Sequence, residues 1–67
     1  MEWNEKLKQA RLEKGLSQKD AATQLQMSRT GLANYEQGVR EPSFDAIRRL
    51  CKFYDISADY LIGLSEY

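Results

Sequence analysis

One short segment of the sequence carries small and polar side chains where a helix built only for packing carries large apolar ones. If residues 28–36 form a helix, with about 100° between successive residues, then Leu32, Tyr35 and Glu36 fall on one side. The opposite side and its flanks carry Arg29, Thr30, Ala33, Asn34 and Gln37. Each of these is either small or able to form hydrogen bonds. The segment therefore predicts a helix with one packed face and one face open to a polar ligand.

The outward side chains match the groups that base edges present in the major groove of DNA. Arginine bonds the O6 and N7 atoms of guanine, asparagine pairs with adenine, and methyl groups of threonine and alanine contact the thymine methyl. Gly31 and Ala33 are small enough to let the helix backbone approach closely. A helix that only faces solvent carries more Glu and Lys than this one. The pattern favours a helix that reads DNA.

Charge neither requires nor excludes this interpretation. The chain has ten Lys and Arg against ten Asp and Glu, and a net charge of zero weighs against a nucleic-acid binder, which is usually basic. Residues 14–40 nevertheless hold a surplus of two positive charges. The acids gather elsewhere, at Glu2, Glu5, Asp55, Asp59 and Glu66. The distribution permits an anion-binding face.

Few residues of the sequence are suited to other chemistry. It has no His and one Cys, which leaves neither a disulfide framework nor a zinc ligand set. Without a Gly-rich phosphate loop or a nucleophile–base pair, we expect no enzyme, cofactor, metal or small-molecule ligand. The charged start is unlike a signal peptide, and no apolar run is long enough for a membrane span. We therefore expect a cytoplasmic protein.

Helix-breaking and helix-capping residues divide the chain into five predicted helices without a strand. Four helices follow a serine that can serve as N-cap: Ser17, Ser28, Ser43 and Ser57. The predicted helices form one domain over residues 1–67 and cover about 3–14, 17–25, 28–36, 43–54 and 57–63. In the fourth helix, the apolar spacing places on a common face Phe44, Ile47, Leu50, Cys51 and Tyr54. We therefore expect Cys51 in the core, as neither a nucleophile nor a redox switch.

The motifs together resemble one known family. The segment LSQKDAATQLQMSRTGLANYEQGVREPS, residues 16–43, is followed by ISADYLIG, residues 56–63. This combination resembles the phage repressor/Cro-like (XRE family) helix-turn-helix DNA-binding domain, from about Leu7 to Gly63. The resemblance implies an all-α, compact five-helix bundle of the lambda-repressor-like fold. It implies a protein encoded by a bacterium or phage and associated with the nucleoid when bound to DNA. It also implies that the helix at 17–25 crosses the DNA backbone while the helix at 28–36 enters the major groove.

Candidate contacts follow from placing this sequence on the family's motif. The expected base contacts are Arg29, Thr30, Ala33 and Asn34. The expected phosphate contacts are Gln18, Lys19, Ser28, Gln37 and Arg40, and Gln18 is also expected to orient Arg29. Glu36 would repel phosphate if it faced DNA. The resemblance instead pairs it with Arg11 in a partly buried ion pair that braces the helices.

Gln26 departs from the family's motif, which usually has Gly in the turn between the two helices. If the backbone there is left-handed, a residue with a Cβ atom costs roughly 1 kcal/mol. The departure lies outside the predicted reading face, so the fold prediction is unchanged.

These features predict a sequence-specific DNA-binding transcriptional regulator, a repressor of the prophage or mobile-element type. A second interpretation is a protein-interaction module or antitoxin on the same scaffold, which zero net charge leaves open. One module offers few base contacts, so we expect a homodimer on an inverted-repeat operator. The apolar residues proposed for the dimer interface are Phe53, Tyr60, Ile62, Leu64 and Tyr67. The alternative is that Tyr60 and Leu64 close the bottom of the core.

Overall fold

A computed structural model describes residues 1–66, which fold into five helices without a strand. The helices are α1 Trp3–Glu13, α2 Gln18–Leu25, α3 Arg29–Glu36, α4 Phe44–Tyr54 and α5 Ala58–Ile62. The principal extents are 29 × 23 × 19 Å, so short helices are packed around a single small core. The predicted all-α, five-helix fold is confirmed.

Serine side chains begin four of the helices. The Oγ atoms of Ser17, Ser28, Ser43 and Ser57 accept hydrogen bonds from the backbone N–H groups of Asp20, Gly31, Ala46 and Tyr60, at 2.9–3.1 Å. Each cap satisfies one of the N–H groups that the first turn of a helix leaves without an intrahelical acceptor. The starts of α2 to α5 are therefore determined locally by the sequence.

The turn between α2 and α3 passes through a left-handed residue. Gln26 has φ 58° and ψ 44°, and it ends α2. Its N–H donates to Thr23 O at 3.1 Å, and the N–H of Met27 donates to Ala22 O at 3.0 Å. These bonds close the helix end and turn the chain sharply into α3. Gln26 therefore occupies a conformation in which its Cβ atom is unfavourable.

The core takes one fully buried leucine from each of α1, α3, α4 and α5, and takes two alanines and Leu25 from α2. The fully buried leucines are Leu7 of α1, Leu32 of α3, Leu50 of α4 and Leu61 of α5. On α2 the central buried residues are Ala21 and Ala22. Small residues on α2 let its backbone approach the neighbouring helices closely. The core thus holds α2 and α3 against each other with few large side chains.

Phe44 lies outside this core, although the helical spacing grouped it with Ile47, Leu50 and Tyr54. Its side chain is 83% exposed, whereas Leu50 and Tyr54 are buried. Phe44 is the first residue of α4. Because Cα–Cβ bonds tilt toward the N-terminus of a helix, a first-turn side chain can extend past the end of the packed turns. The grouping of Phe44 with the core residues was wrong.

Polar side chains tie helix ends to neighbouring helices. The Arg49 guanidinium on α4 donates to the carbonyl oxygen of Leu25 at the end of α2. Lys6 on α1 donates to Tyr60 O at 2.6 Å, and its Nζ atom lies 4.5 Å from the centre of the Tyr60 ring. Leu25 lies at the C-terminal end of α2, where carbonyl groups have no intrahelical donor, whereas Tyr60 O also accepts from Gly63 N at 3.3 Å.

Replacing Gln26 by Gly tests the cost of the left-handed turn. Gln26→Gly removes the unfavourable Cβ contact, so the free energy of unfolding should rise by about 0.5–1 kcal/mol in a denaturant titration. The matched control is Gln24→Gly, which changes an exposed glutamine inside α2. That control should lower the free energy of unfolding by about 1 kcal/mol. A loss of stability in both variants would contradict this account of the turn.

Candidate nucleic-acid interface

Helix α3 has one buried face and one accessible face. Leu32, Tyr35 and Glu36 are buried. On the other side Arg29 and Thr30 are exposed, and Ala33 and Asn34 are half-buried. The four residues proposed for base contact therefore lie on the accessible side of α3 and its flanks. Arg29 is the first helical residue, at the end that carries the positive pole of the helix dipole.

The residues proposed for phosphate contact surround this face on three elements. Lys19 at the start of α2 is exposed, as are Gln37 and Arg40 after α3. The backbone N–H of Arg40 donates to Asn34 O at 3.4 Å, which holds the loop against the last turn of α3. Gln18 is half-buried, so it is less accessible than the other phosphate candidates.

Ser28 is occupied as the N-cap of α3. Its Oγ atom accepts from Gly31 N at 2.9 Å, and its side chain is exposed. A hydroxyl has one hydrogen to donate in addition to its acceptor lone pairs. The capping bond therefore leaves the Ser28 hydroxyl able to donate to an anion.

The surface of this region is more positive than the sequence count indicates. Between residues 14 and 40 the exposed cations are Lys14, Lys19, Arg29 and Arg40, and Asp20 is the exposed anion. The remaining acid, Glu36, is buried and paired with a cation. The N-termini of α2 and α3 add positive dipole ends. A chain with zero net charge thus presents a locally cationic face.

A buried ion pair joins α1 to the last residue of α3. Arg11 Nε donates to Glu36 Oε2 at 2.8 Å, and Arg11 Nη2 donates to Glu36 Oε1 at 3.1 Å. The side chains are 8% and 2% exposed. The hydrogen bond to Glu36 raises the pKa of the Arg11 guanidinium, against the opposing effect of burial. The pair expected from the family resemblance is present, and it is bidentate.

Further polar bonds extend this pair into a network. Arg11 Nη1 donates to Leu16 O at 2.9 Å in the loop before α2, and Gln18 Nε2 donates to Glu36 Oε1 at 3.2 Å. Asn4 Nδ2 donates to the backbone oxygen of Glu36 at 3.3 Å. Burial and the nearby Glu36 carboxylate raise the pKa of the Tyr54 hydroxyl to about 12. The position of α3 is therefore held by polar contacts from α1, α2 and the loop between them.

The network contains contacts that the sequence analysis did not predict. The bond from Gln18 to Glu36 joins residues far apart in sequence, and Gln18 was assigned only to phosphate and Arg29. The structure records no bond between Gln18 and Arg29 in the part of the chain that it describes. Asn4 was not singled out at all, because apolar periodicity carries no signal for a polar residue that bonds a backbone carbonyl.

The apolar residues proposed for a dimer interface divide into two groups. Phe53 packs against the core, with its ring 5.0 Å from that of Tyr54, and Tyr60 is half-buried beneath Lys6. Ile62 and Leu64 are 53% and 76% exposed. Leu64 therefore does not close the core. Tyr67, the fifth residue of the proposed set, lies outside the described residues.

Ile62 also borders an open apolar groove. The groove has a volume of about 340 Å³ and is lined by Trp3, Glu41, Pro42, Phe44, Ile47, Leu61 and Ile62. These residues come from α1, the loop after α3, α4 and α5, and none belongs to α2 or α3. The groove therefore shares no residue with α2 or α3, and its Glu41 directly follows Arg40 of the cationic face.

Residues 1–66 contain neither a membrane-spanning helix nor a metal-binding cluster. No helix there has the length and apolarity to cross a bilayer. Within the same range no three His, Cys, Asp or Glu side chains cluster as a metal site. Cys51 is buried in the core, and its burial raises the pKa of the thiol.

Comparison with known proteins matches residues 7–61 to the model of a helix-turn-helix family. The chain is 39% identical over 66 residues to the HTH-type transcriptional regulator ImmR of Bacillus subtilis (strain 168), covering 98% of this chain and 52% of ImmR. It is 38% identical over 66 residues to the HTH-type transcriptional activator BcrR of Enterococcus faecalis, covering 98% of this chain and 32% of BcrR.

A phage protein is similar over the same region. The chain is 27% identical over 64 residues to the cryptic phage CTXphi transcriptional repressor RstR of Vibrio cholerae. The match covers 96% of this chain and 58% of RstR. The chain thus spans roughly a third to somewhat over half of the length of these three relatives.

Breaking the buried ion pair should destabilise the fold strongly. Glu36→Gln and Arg11→Ala each remove one partner and leave the other uncompensated, so each should lower the free energy of unfolding by about 3 kcal/mol or more. Because both remove the same interaction, the double variant should lose clearly less than the sum of the two. Thermal and denaturant unfolding of the four proteins measures this cycle.

A surface pair provides the control for that cycle. Arg48 and Asp45 lie 3.8 Å apart with side chains 73% and 77% exposed. Arg48→Gln should change the free energy of unfolding by no more than about 0.5 kcal/mol, because solvent screens exposed pairs. Additive losses at Arg11 and Glu36, or a loss at Arg48 as large as theirs, would show that the buried pair has no special role.

Proposed function

The chain belongs to this helix-turn-helix family, and from that premise we propose that it is a sequence-specific DNA-binding transcriptional regulator. The observation that supports this most strongly is the two-sided arrangement of α3. Its inner face is locked by Leu32, Tyr35 and the buried Glu36, while Arg29 and Thr30 face solvent. A rigid helix with exposed hydrogen-bonding and small side chains suits entry into the major groove.

In the proposed complex, α3 lies in the major groove and α2 lies across the DNA backbone. Arg29 bonds the edge of guanine and Asn34 bonds adenine, while Thr30 and Ala33 contact thymine methyl groups. These contacts select the sequence. The surrounding phosphate contacts set the register of α3 and come from Gln18, Lys19, Ser28, Gln37 and Arg40.

We further propose that the chain acts as a repressor of the prophage or mobile-element type, in the cytoplasm of a bacterial cell. RstR is named a phage repressor, whereas BcrR is named an activator, so both outcomes occur among the relatives. Repression needs only that the protein occupy its operator and exclude other proteins from the same DNA. The accessible, locally cationic face beside α3 supports such occupancy.

A second candidate function is a protein-interaction module, such as an antitoxin, on the same scaffold. The observations that favour it are zero net charge and the apolar groove beside the exposed Phe44. Electrophoretic mobility shift with genomic fragments at two salt concentrations separates the candidates. DNA recognition predicts a preferred fragment and an affinity that falls steeply with salt, because bound phosphates release counterions. No shift on any fragment would favour the protein partner.

We also propose that the chain binds DNA as a homodimer on an inverted repeat. A single α3 reaches few base pairs, and a two-fold dimer doubles the readout. We assign the dimer surface to Ile62 and Leu64 with the adjoining Phe44. Phe53 and Tyr60 are left out of this surface because they are more enclosed. Because the groove includes no residue of α2 or α3, dimer contact there leaves the reading helix free.

Substitution of Arg29 and Lys19 should separate base reading from phosphate binding. Arg29→Ala should cost about 1–3 kcal/mol on the preferred site and relax the preference at one base position. Lys19→Ala should weaken binding to all sequences alike and lower the slope of log K against log salt by about one. The two variants are compared with the wild-type chain by selecting bound duplexes from a random pool and then measuring affinities. An unchanged selected motif for Arg29→Ala would reject the base contact.

Interface substitutions should weaken dimer formation without changing the affinity of one protomer for a single half-site. Ile62→Lys and Phe44→Lys should each raise the concentration needed to fill both half-sites by about tenfold or more, as expected for a central interface residue. The half-sites should lie about 34–36 Å apart, one helical turn. Leu12→Lys is the control, since Leu12 is 51% exposed against 53% for Ile62 and lies away from the groove. Sedimentation of the complexes gives the stoichiometry.

A stable complex of one protomer on a non-palindromic site, with no second protomer at saturation, would reject the dimer. Equal effects of Leu12→Lys and Ile62→Lys would reject this surface while leaving dimer formation itself possible through another one.

A further inference from the structure

We propose that Gln18 is a positioning residue through which the buried Arg11–Glu36 pair controls the strength of a DNA phosphate contact. The inference rests on the proposed function and deepens it. It gives the ion pair a role in affinity that is separate from its role in stability, and it assigns that role to a single side-chain contact.

The geometry begins with the amide nitrogen of Gln18. Gln18 Nε2 donates to Glu36 Oε1 at 3.2 Å. A carboxamide nitrogen carries two hydrogens, and Glu36 accepts one of them. Within residues 1–66 the structure assigns the other hydrogen no protein acceptor. Gln18 is half-buried, so part of the residue stays accessible to solvent although its amide bonds the buried carboxylate.

The group that holds this amide is a buried carboxylate with several hydrogen bonds. The Glu36 carboxylate accepts hydrogen bonds from Nε and Nη2 of Arg11 and from Nε2 of Gln18. Its side chain is 2% exposed, and Arg11 is held in turn by its bond to Leu16 O. A free glutamine side chain loses considerable rotamer freedom when it binds a ligand. Here much of that freedom is already lost in the free protein.

The location of the anchored amide suits a phosphate. Gln18 is the first residue of α2, and the N–H of Asp20 is taken by Ser17 Oγ. The backbone N–H groups of Gln18 and Lys19 lie in the first turn of α2, so they have no intrahelical acceptor. A phosphate at this end of α2 can therefore meet the free amide hydrogen of Gln18 and the backbone N–H groups together.

The opposite effect would be that the ion pair weakens the phosphate contact. If Gln18 had to leave Glu36 before it could bind phosphate, the carboxylate would compete with DNA, and weakening it would strengthen binding. The two hydrogens of the amide let both acceptors bind at once, which favours cooperation. The sign of the effect of Glu36 substitution on affinity decides between these mechanisms.

The test uses three variants and one control. Gln18→Met keeps an unbranched side chain and removes the amide; Gln18→Asn keeps the amide but shortens its reach to Glu36, leaving the ion pair intact. Glu36→Gln weakens the acceptor. Gln24→Met is the control, an exposed glutamine on the same helix. Affinity is measured on a duplex that the wild-type chain selects, at a temperature where circular dichroism shows every variant folded.

A phosphate-specific measurement identifies the contact. Each phosphate of the duplex is replaced in turn by an uncharged methylphosphonate. Wild-type protein should lose affinity when one phosphate facing the start of α2 is replaced, and Gln18→Met should lose clearly less, because only the backbone N–H groups still meet that phosphate. A structural effect on folding would not weaken the response at a single phosphate.

On the unmodified duplex, Gln18→Met and Gln18→Asn should each bind about three- to tenfold more weakly, the effect of one ordinary hydrogen bond. Glu36→Gln should show a smaller loss, absent when Gln18 is already Met, and Gln24→Met should match wild type. Tighter binding by Glu36→Gln, an equal loss with and without Gln18, or wild-type affinity in Gln18→Asn would overturn the proposal. If wild-type protein selects no duplex, the proposed function fails as well.

Discussion

The hydrogen-bonded ion pair between Arg11 and Glu36 is the interaction on which the arrangement of this small domain depends. Helix α3 contributes only Leu32 and Tyr35 as large apolar side chains to the core. Two such residues hold a short helix but leave its rotation poorly determined. The bidentate bond from Arg11, together with the bond from Asn4 to Glu36 O, fixes the C-terminal end of α3 against α1. Polar contacts therefore help to set the orientation of α3, in addition to its two buried apolar side chains.

The same pair accounts for the charge of the surface. A buried Glu36 compensated by Arg11 removes one acid from the side of the molecule that carries Lys19, Arg29 and Arg40. A chain with no net charge therefore has a locally cationic face beside the N-termini of α2 and α3. Net charge alone is a poor guide to anion binding in a domain of this size, because burial decides which charges a ligand meets.

Features that depend on local chemistry were predictable from the sequence. A serine before each helix from α2 to α5 and the apolar face of α3 are encoded within a few residues, and the all-α fold follows from them. The ion pair was expected only by resemblance, because nothing local links Arg11 to Glu36. The exposure of Phe44 and the bond from Gln18 to Glu36 were not predicted. Helical periodicity does not show where the core ends, and polar contacts between helices depend on their packing.

The most direct test of the account is an amide NMR titration of the chain with the duplex that it selects from a random pool. The account predicts that the largest chemical-shift changes fall at the start of α2 and along α3, at Lys19, Arg29, Thr30 and Asn34. Because the buried pair holds α3 rigidly, the resonances of Leu32 and Tyr35 should move little. Changes confined to the groove around Trp3 and Phe44, with α3 unaffected, would contradict the claim that α3 reads DNA.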